Sequence, residues 1–93
     1  MMEIRKNTAQ HRYEILEDGR VIGLASYRDE GRGIVQLPHT EIDPAYGGRG
    51  LGSQLVRYAL DDIRDSGCRV DPACPFVAAY MDRHPEDAAL RAP

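Results

Sequence analysis

Cysteine is scarce in this 93-residue chain: only Cys68 and Cys74 occur, with five residues between them. That spacing fits neither a disulfide framework nor the Cys-x-x-Cys pairs of zinc sites, so two free thiols and no metal are expected. Long apolar runs are also missing. The longest, such as Phe76-Val77-Ala78-Ala79-Tyr80, fall far below the ~20 residues that cross a bilayer. No apolar h-region follows residues 1–6, so nothing reads as a secretory signal, and a cytoplasmic protein without membrane contact is expected. Basic residues are not in excess, since 12 Lys plus Arg stand against 15 Asp plus Glu for a net charge of −3. A phosphate backbone would need the opposite balance, which argues against nucleic acid as a partner. Internal repeats and low-complexity tracts are absent too, which excludes solenoids and linker-like segments.

The chain is 42% apolar and 29% charged, the balance of a globular domain. A chain this short buries only about 60–65% of its unfolded surface, too little for two cores, so one domain over residues 1–93 is expected. Tyr13 and Ile15 alternate with Arg12 and Glu14, Asp18-Gly19 makes a turn, and Val21 to Tyr27 resumes as a β-rich run. Residues 28–33 form a second, glycine-bearing turn before a third strand from Ile34 to Ile42, and residues 2–6 can add another strand. From Leu51 the period changes: Leu51, Leu55, Val56, Ala59, Leu60 and Ile63 form an apolar stripe of helical spacing. Gly67 can close that helix in left-handed geometry, and Cys68 to Asp71 reads as a short extended piece. Pro75 opens a second helix to about residue 83, which His84-Pro85 ends. Strands first and helices later give an α+β sheet with helices packed on it.

The segment Ile42 to Ser53 is a glycine-rich loop running from a strand into the strongest helix. About four N–H groups at a helix N-terminus lack partners, and glycines let a phosphate approach them without meeting a Cβ. Arg49 adds charge at the rim. The alternative is a flexible turn, but four glycines within six residues cost backbone entropy that an ordinary turn does not require. Gly47 to Gly52 has Walker A spacing, yet Ser53 stands where the phosphate-binding lysine belongs. A dinucleotide fingerprint fails because Leu55 or Ser53 occupies the third glycine position.

What remains, Gly47-Gly48-Arg49-Gly50-Leu51-Gly52, resembles the pyrophosphate-binding motif of the GNAT superfamily of acetyl-CoA-dependent N-acetyltransferases, usually Gln/Arg-x-x-Gly-x-Gly/Ala. Gly47 replaces the motif's first polar residue. The segments His39-Thr40-Glu41-Ile42 and Cys74-Pro75-Phe76, with His84-Pro85, extend the likeness over nearly the whole chain, which is similar to the small YjdJ-type branch.

That resemblance implies a mixed, mostly antiparallel sheet, splayed between its fourth and fifth strands, with two main helices. It further implies acetyl-CoA (coenzyme A) as co-substrate, an amine acceptor, and a loop of Gly47, Gly48, Arg49, Gly50, Leu51, Gly52 and Ser53 that binds it. Backbone amides of the splayed strand, at Thr40 and Ile42 by spacing, would hold the acetyl carbonyl. Pro38 independently marks an edge or a bulge, because proline cannot donate to a ladder.

Amine attack on a thioester requires a base, an oxyanion site and a proton for the leaving thiolate. His39, with an ordinary imidazole pKa of about 6.5, is the candidate base, and Glu41 on the same strand face orients it or acts instead; a surface imidazole is the plain alternative. Gln36 stands where larger relatives often carry a glutamate. Tyr80 occupies the position of the family's general acid, or is a core tyrosine. Cys74, ahead of a helix proline, is a nucleophile, a proton-transfer group or a buried inert thiol. The acceptor is an amine on a small molecule or peptide, a monomer or weak dimer is expected, and the alternative function is a non-catalytic acyl-CoA-binding module or sensor.

Overall fold

A computed structural model describes residues 1–93. Five strands, β1 (Met2–Asn7), β2 (Arg12–Glu17), β3 (Arg20–Gly31), β4 (Ile34–Ile42) and β5 (Arg69–Asp71), form one sheet in the order β1-β2-β3-β4-β5. The first three pairings are antiparallel and β4 with β5 is parallel, the crossover being helix α1 (Leu51–Asp65). A second helix, α2 (Pro75–Asp82), and a 3-10 segment, Pro85–Leu90, complete the chain. No helix is long and apolar enough to cross a membrane.

Two of the three hairpins, β2–β3 and β3–β4, are closed by two consecutive residues of positive φ, Asp18 (47°) with Gly19 (84°) and Arg32 (58°) with Gly33 (74°). That is the turn geometry whose twist matches paired strands. The second turn is tighter than expected from the sequence. β3 does not stop at Tyr27 but runs to Gly31, because Arg28, Asp29 and Gly31 pair with Gln36, Val35 and Ile34. These charged residues lie at the exposed end of a ribbon, so backbone pairing holds them in a strand that their polarity conceals.

The α1 stripe packs on the sheet, with Leu55, Val56, Ala59 and Leu60 fully buried against a core that includes Tyr13, Ile15, Ala25, Leu37 and Val70. Burying each large side chain contributes about 1.5–3 kcal/mol. Gly67 ends the helix as expected: at φ 76° it donates to the Arg64 carbonyl, and Cys68 N–H reaches back to Ile63, the paired bonds of a Schellman motif. The 3-10 segment after α2 is tied to α1 by Asp87, whose fully buried carboxylate accepts two bonds from Arg57 at 2.9 Å and one from Arg64 at 2.6 Å. The Arg57 guanidinium holds the Asp87 carboxyl below the usual carboxylate range.

The opposite face of the sheet has no helix over it. Glu14 lies there, only 1% exposed, under Arg5 (2.9 Å), Arg12 (2.7 Å) and Asn7 (3.1 Å). Burial alone would push its pKa up, but these donors outweigh it and the net direction is down.

Candidate functional site

The site originates in a register shift. Ser26 pairs with His39 and Arg28 with Gln36, so β4 carries one extra residue across the Leu37-Pro38 bulge. Below the bulge the odd-numbered residues turn toward β5: Arg69 N–H donates to Gly33 O (2.7 Å) and Cys74 N–H to Leu37 O (2.9 Å). Above it Asp43 N–H donates to Ile22 O (2.7 Å), so the odd residues now face β3. The alternation of an antiparallel ladder then turns the N–H groups of Thr40 and Ile42 away from β3. β5 pairs with β4 only over Ile34–Gln36 and is absent at that level. The two strands therefore part beyond Leu37, and the amides expected to matter line the opening.

The glycine loop adjoins this opening. A 3-10 turn, Pro44–Tyr46, capped by Asp43 through its side chain (2.9 Å to Ala45 N), leads into Gly48 and Gly50, at φ 78° and 73°. Gly50 is the N-cap of α1 and leaves the first N–H groups of the helix facing the loop. A cavity of about 220 Å³ lies here, lined by Ile42, Tyr46, the glycines, Leu51, Ser53 and Phe76. Arg49 lies over the Tyr46 ring at 5.2 Å. Gly52 differs from the other loop glycines: it is helical, and a Cβ on it would come within 2.9 Å of the Phe76 ring. Its constraint is the contact between α1 and α2.

Cys74 is the N-cap of α2 and 6% exposed. Its Sγ lies 3.7 Å from the Thr40 hydroxyl. Burial pushes the thiol pKa up, but the Val77 N–H, the Thr40 hydroxyl, and the Phe76 and Thr40 N–H groups outweigh it, and the net direction is down. His39 and Glu41 face away from the helices, each side chain 60% exposed, with His39 Nε2 at 3.0 Å from Glu41 Oε2. Thr40, Ile42 and Cys74 thus converge on the opening, and His39 and Glu41 flank it on the open face.

Tyr80 does not join that group. Its hydroxyl is 3.5 Å from Arg57 Nη1, its ring stacks on His84 at 3.9 Å, and it lines a second cavity of about 480 Å³ with Ser53, Gln54, Arg57, Arg83 and His84. Arg57 and Arg83, together with Tyr46 beside the loop, escaped the sequence reading, which names His84 and Phe76 without placing either at the site. Tyr46, next to the glycine run, is the one with a local signal; Phe76 is 41% exposed, while Val77, Tyr80 and Met81 are the buried residues of α2.

Comparison with known proteins bears on this arrangement. Protein NATD1 of Gallus gallus and that of Homo sapiens are each 34% identical over 59 residues, which is 63% of this chain and 54% and 52% of theirs. The chain thus spans about half the length of the curated relatives it matches. A GCN5-like protein from Staphylococcus aureus, solved by NMR, has a similar structure at TM-score 0.76 and 16% identity, covering 97% of this chain and 87% of that one. A GNAT family acetyltransferase from Brucella melitensis, in complex with acetyl-CoA, is similar at TM-score 0.67 and 20% identity, over 89% of this chain and 80% of its own. Both carry the same α+β fold, and the sequence profile described as GCN5-related N-acetyl-transferase matches residues 12–90. With most of its length inside that profile, and its strands parting beside a glycine-rich helix start, the chain belongs to the GCN5-related N-acetyltransferase family.

Proposed function

We propose that this chain transfers the acetyl group of acetyl-CoA to a primary amine. The observation that carries the reading is the stretch of β4 beyond Pro38, where the Thr40 and Ile42 amides turn away from β3 into an opening beside the glycine-rich start of α1. The residues suit the co-substrate chemically. Amides of Gly47, Gly48, Gly50, Leu51, Gly52 and Ser53, with Arg49 at the rim, would hold a pyrophosphate. The cavity with Arg57 and Arg83 offers guanidinium N–H donors for the nucleotide end. When bound, acetyl-CoA supplies an activated thioester.

The chain's own groups supply the rest. Thr40 and Ile42 N–H would donate to the acetyl oxygen as it gains charge. With Glu41 accepting from His39 Nε2, the tautomer leaves Nδ1 free to take the amine proton. Glu41 thereby orients the ring. Of the two candidates for returning a proton to the leaving thiolate, Cys74 is favoured by position, because it lies beside Thr40 while Tyr80 points toward Arg57.

That orientation of Tyr80 also supports a second reading, a binding module that holds acyl-CoA without turnover. Incubation with acetyl-CoA and a panel of primary amines, read by product mass, separates the two. Product formation that survives removal of free CoA by gel filtration and reloading supports transfer. Tight CoA binding with no acetylated amine would leave the binding module.

A further inference from the structure

A groove of about 480 Å³ lies where β3 begins and β4 ends and is lined by Val21, Ile22, Leu24, Glu41, Asp43 and Pro44 among others. Its chemistry is divided: an aliphatic floor and two carboxylates, with no lining residue that carries a positive charge. One carboxylate, Glu41, is the same group that holds His39 at 3.0 Å, so the groove adjoins the residue that orients the proposed base. The other, Asp43, lies two residues on, just past the end of β4, its Cα about 6.6–6.8 Å from that of Glu41 by strand rise. Asp43 is held in place, with Oδ1 accepting the Ala45 N–H (2.9 Å) and Oδ2 facing Arg20 Nη2 at 3.2 Å. Arg20 is 70% exposed, and such a pair is weak enough for a second cation to share the carboxylate.

We infer that the acceptor is an aliphatic amine bearing a second positive charge four or five carbons from the reacting nitrogen, its methylenes on Leu24, Val21 and Pro44 and its distal ammonium at Asp43. The inference rests on the acetyltransferase reading for the fate of the near nitrogen, but not for binding. An apolar floor alone would accept any alkylamine. The fixed carboxylate at one end discriminates, because a monoamine leaves it with the exposed Arg20 as its one cationic partner, whereas a diamine adds a second. An α-amino acid is disfavoured, since its carboxylate would face Glu41.

Two measurements on the wild-type chain and Asp43→Asn test this. Asparagine retains an acceptor for the Ala45 N–H and removes only the charge. The first measurement is kcat/KM for 1-aminobutane against 1,4-diaminobutane with saturating acetyl-CoA. The wild type is expected to favour the diamine at least tenfold, with the ratio collapsing toward one in Asp43→Asn and in high salt; a merely structural role for Asp43 would lower both substrates together. The second is calorimetric titration of 1,4-diaminobutane into the CoA-loaded protein. Equal kcat/KM for the two amines, or a ratio indifferent to Asp43→Asn, overturns the inference and leaves the transferase intact. If no amine is acetylated, the titration decides: diamine binding weakened by Asp43→Asn upholds the groove and overturns the transferase, and absence of binding overturns the groove as well.

Discussion

Gly50 and Gly52 stand two residues apart at the start of α1, yet alanine at each is expected to act on a different property. Gly50 has φ 73° and nothing within 4 Å of where a Cβ would stand. Alanine there meets no atom but must hold the left-handed region, at a cost of about 1–2 kcal/mol. At roughly 4–8 °C per kcal/mol for a domain of this size, Gly50→Ala should melt about 5–15 °C below wild type. Gly52 is helical, so alanine gains up to about 1 kcal/mol of helix propensity. Its methyl would lie 2.9 Å from Phe76 Cζ and 3.3 Å from Cε1, and the ring, 41% exposed, can turn outward. The two effects nearly offset, leaving Gly52→Ala within about 0.5 kcal/mol of wild type, the range of a surface change. The displaced ring lines the cavity beside the glycine loop, so CoA affinity should fall tenfold or more, about 1.4 kcal/mol. Thermal melts and calorimetric CoA titrations of both variants check this. A Gly52→Ala protein that binds CoA like wild type, or a Gly50→Ala protein that melts with it, would refute the reasoning.

Asp87→Ala strands two arginines at a buried position and should cost about 2–4 kcal/mol, less than a fully enclosed pair because Arg57 and Arg64 are 31% and 46% exposed; urea denaturation reads the loss, and a midpoint equal to wild type contradicts it. Asp87 and Glu14 both have folded pKa values below their ordinary ones, so the unfolded chain binds more protons in acid. Their stabilisation is therefore complete above the ordinary carboxylate range and is lost as pH falls through it toward the depressed values. Urea midpoints from pH 7 to pH 3 should drop, less steeply in Glu14→Gln; a flat profile would show that these ion pairs carry no stability. His39→Ala should bind CoA unchanged while losing about 10²–10⁴-fold in transfer, and equal turnover would assign the base elsewhere.

The turns, α1 and its glycine terminator were legible because each is fixed by residues near in sequence. Gly19, Gly33 and Gly67 all adopt positive φ, and the stripe from Leu51 to Ile63 needs only its own period. The opening at β4 was half legible. Pro38 marked an irregularity, but the switch that sends the Thr40 and Ile42 amides outward depends on pairing with β3, which no local pattern reveals. The ion pairs were hidden for the same reason. Glu14 reads as a solvent-facing residue between Tyr13 and Ile15, and it does face the open side of the sheet. It is buried because Arg5 and Arg12 cover it. Asp87 meets Arg57 across 30 positions, and nothing in Pro85-Glu86-Asp87 distinguishes it from an exposed acidic turn. Tyr80 was legible as a residue of α2, but its hydroxyl lies beside Arg57 across 23 positions, a partner that no local pattern reveals.

Amide spectra of uniformly ¹⁵N-labelled protein titrated with acetyl-CoA test the central claim most directly, because adjacent residues of β4 make opposite predictions. Thr40 and Ile42 should show saturable shifts together with Gly48, Gly50 and Ser53, whereas Glu41, whose N–H is committed to β3 by its pairing with Leu24, should move least. Shifts that spare Thr40 and Ile42, or no saturable shift in the glycine loop, would contradict an acetyl-transfer site in the opening between β4 and β5.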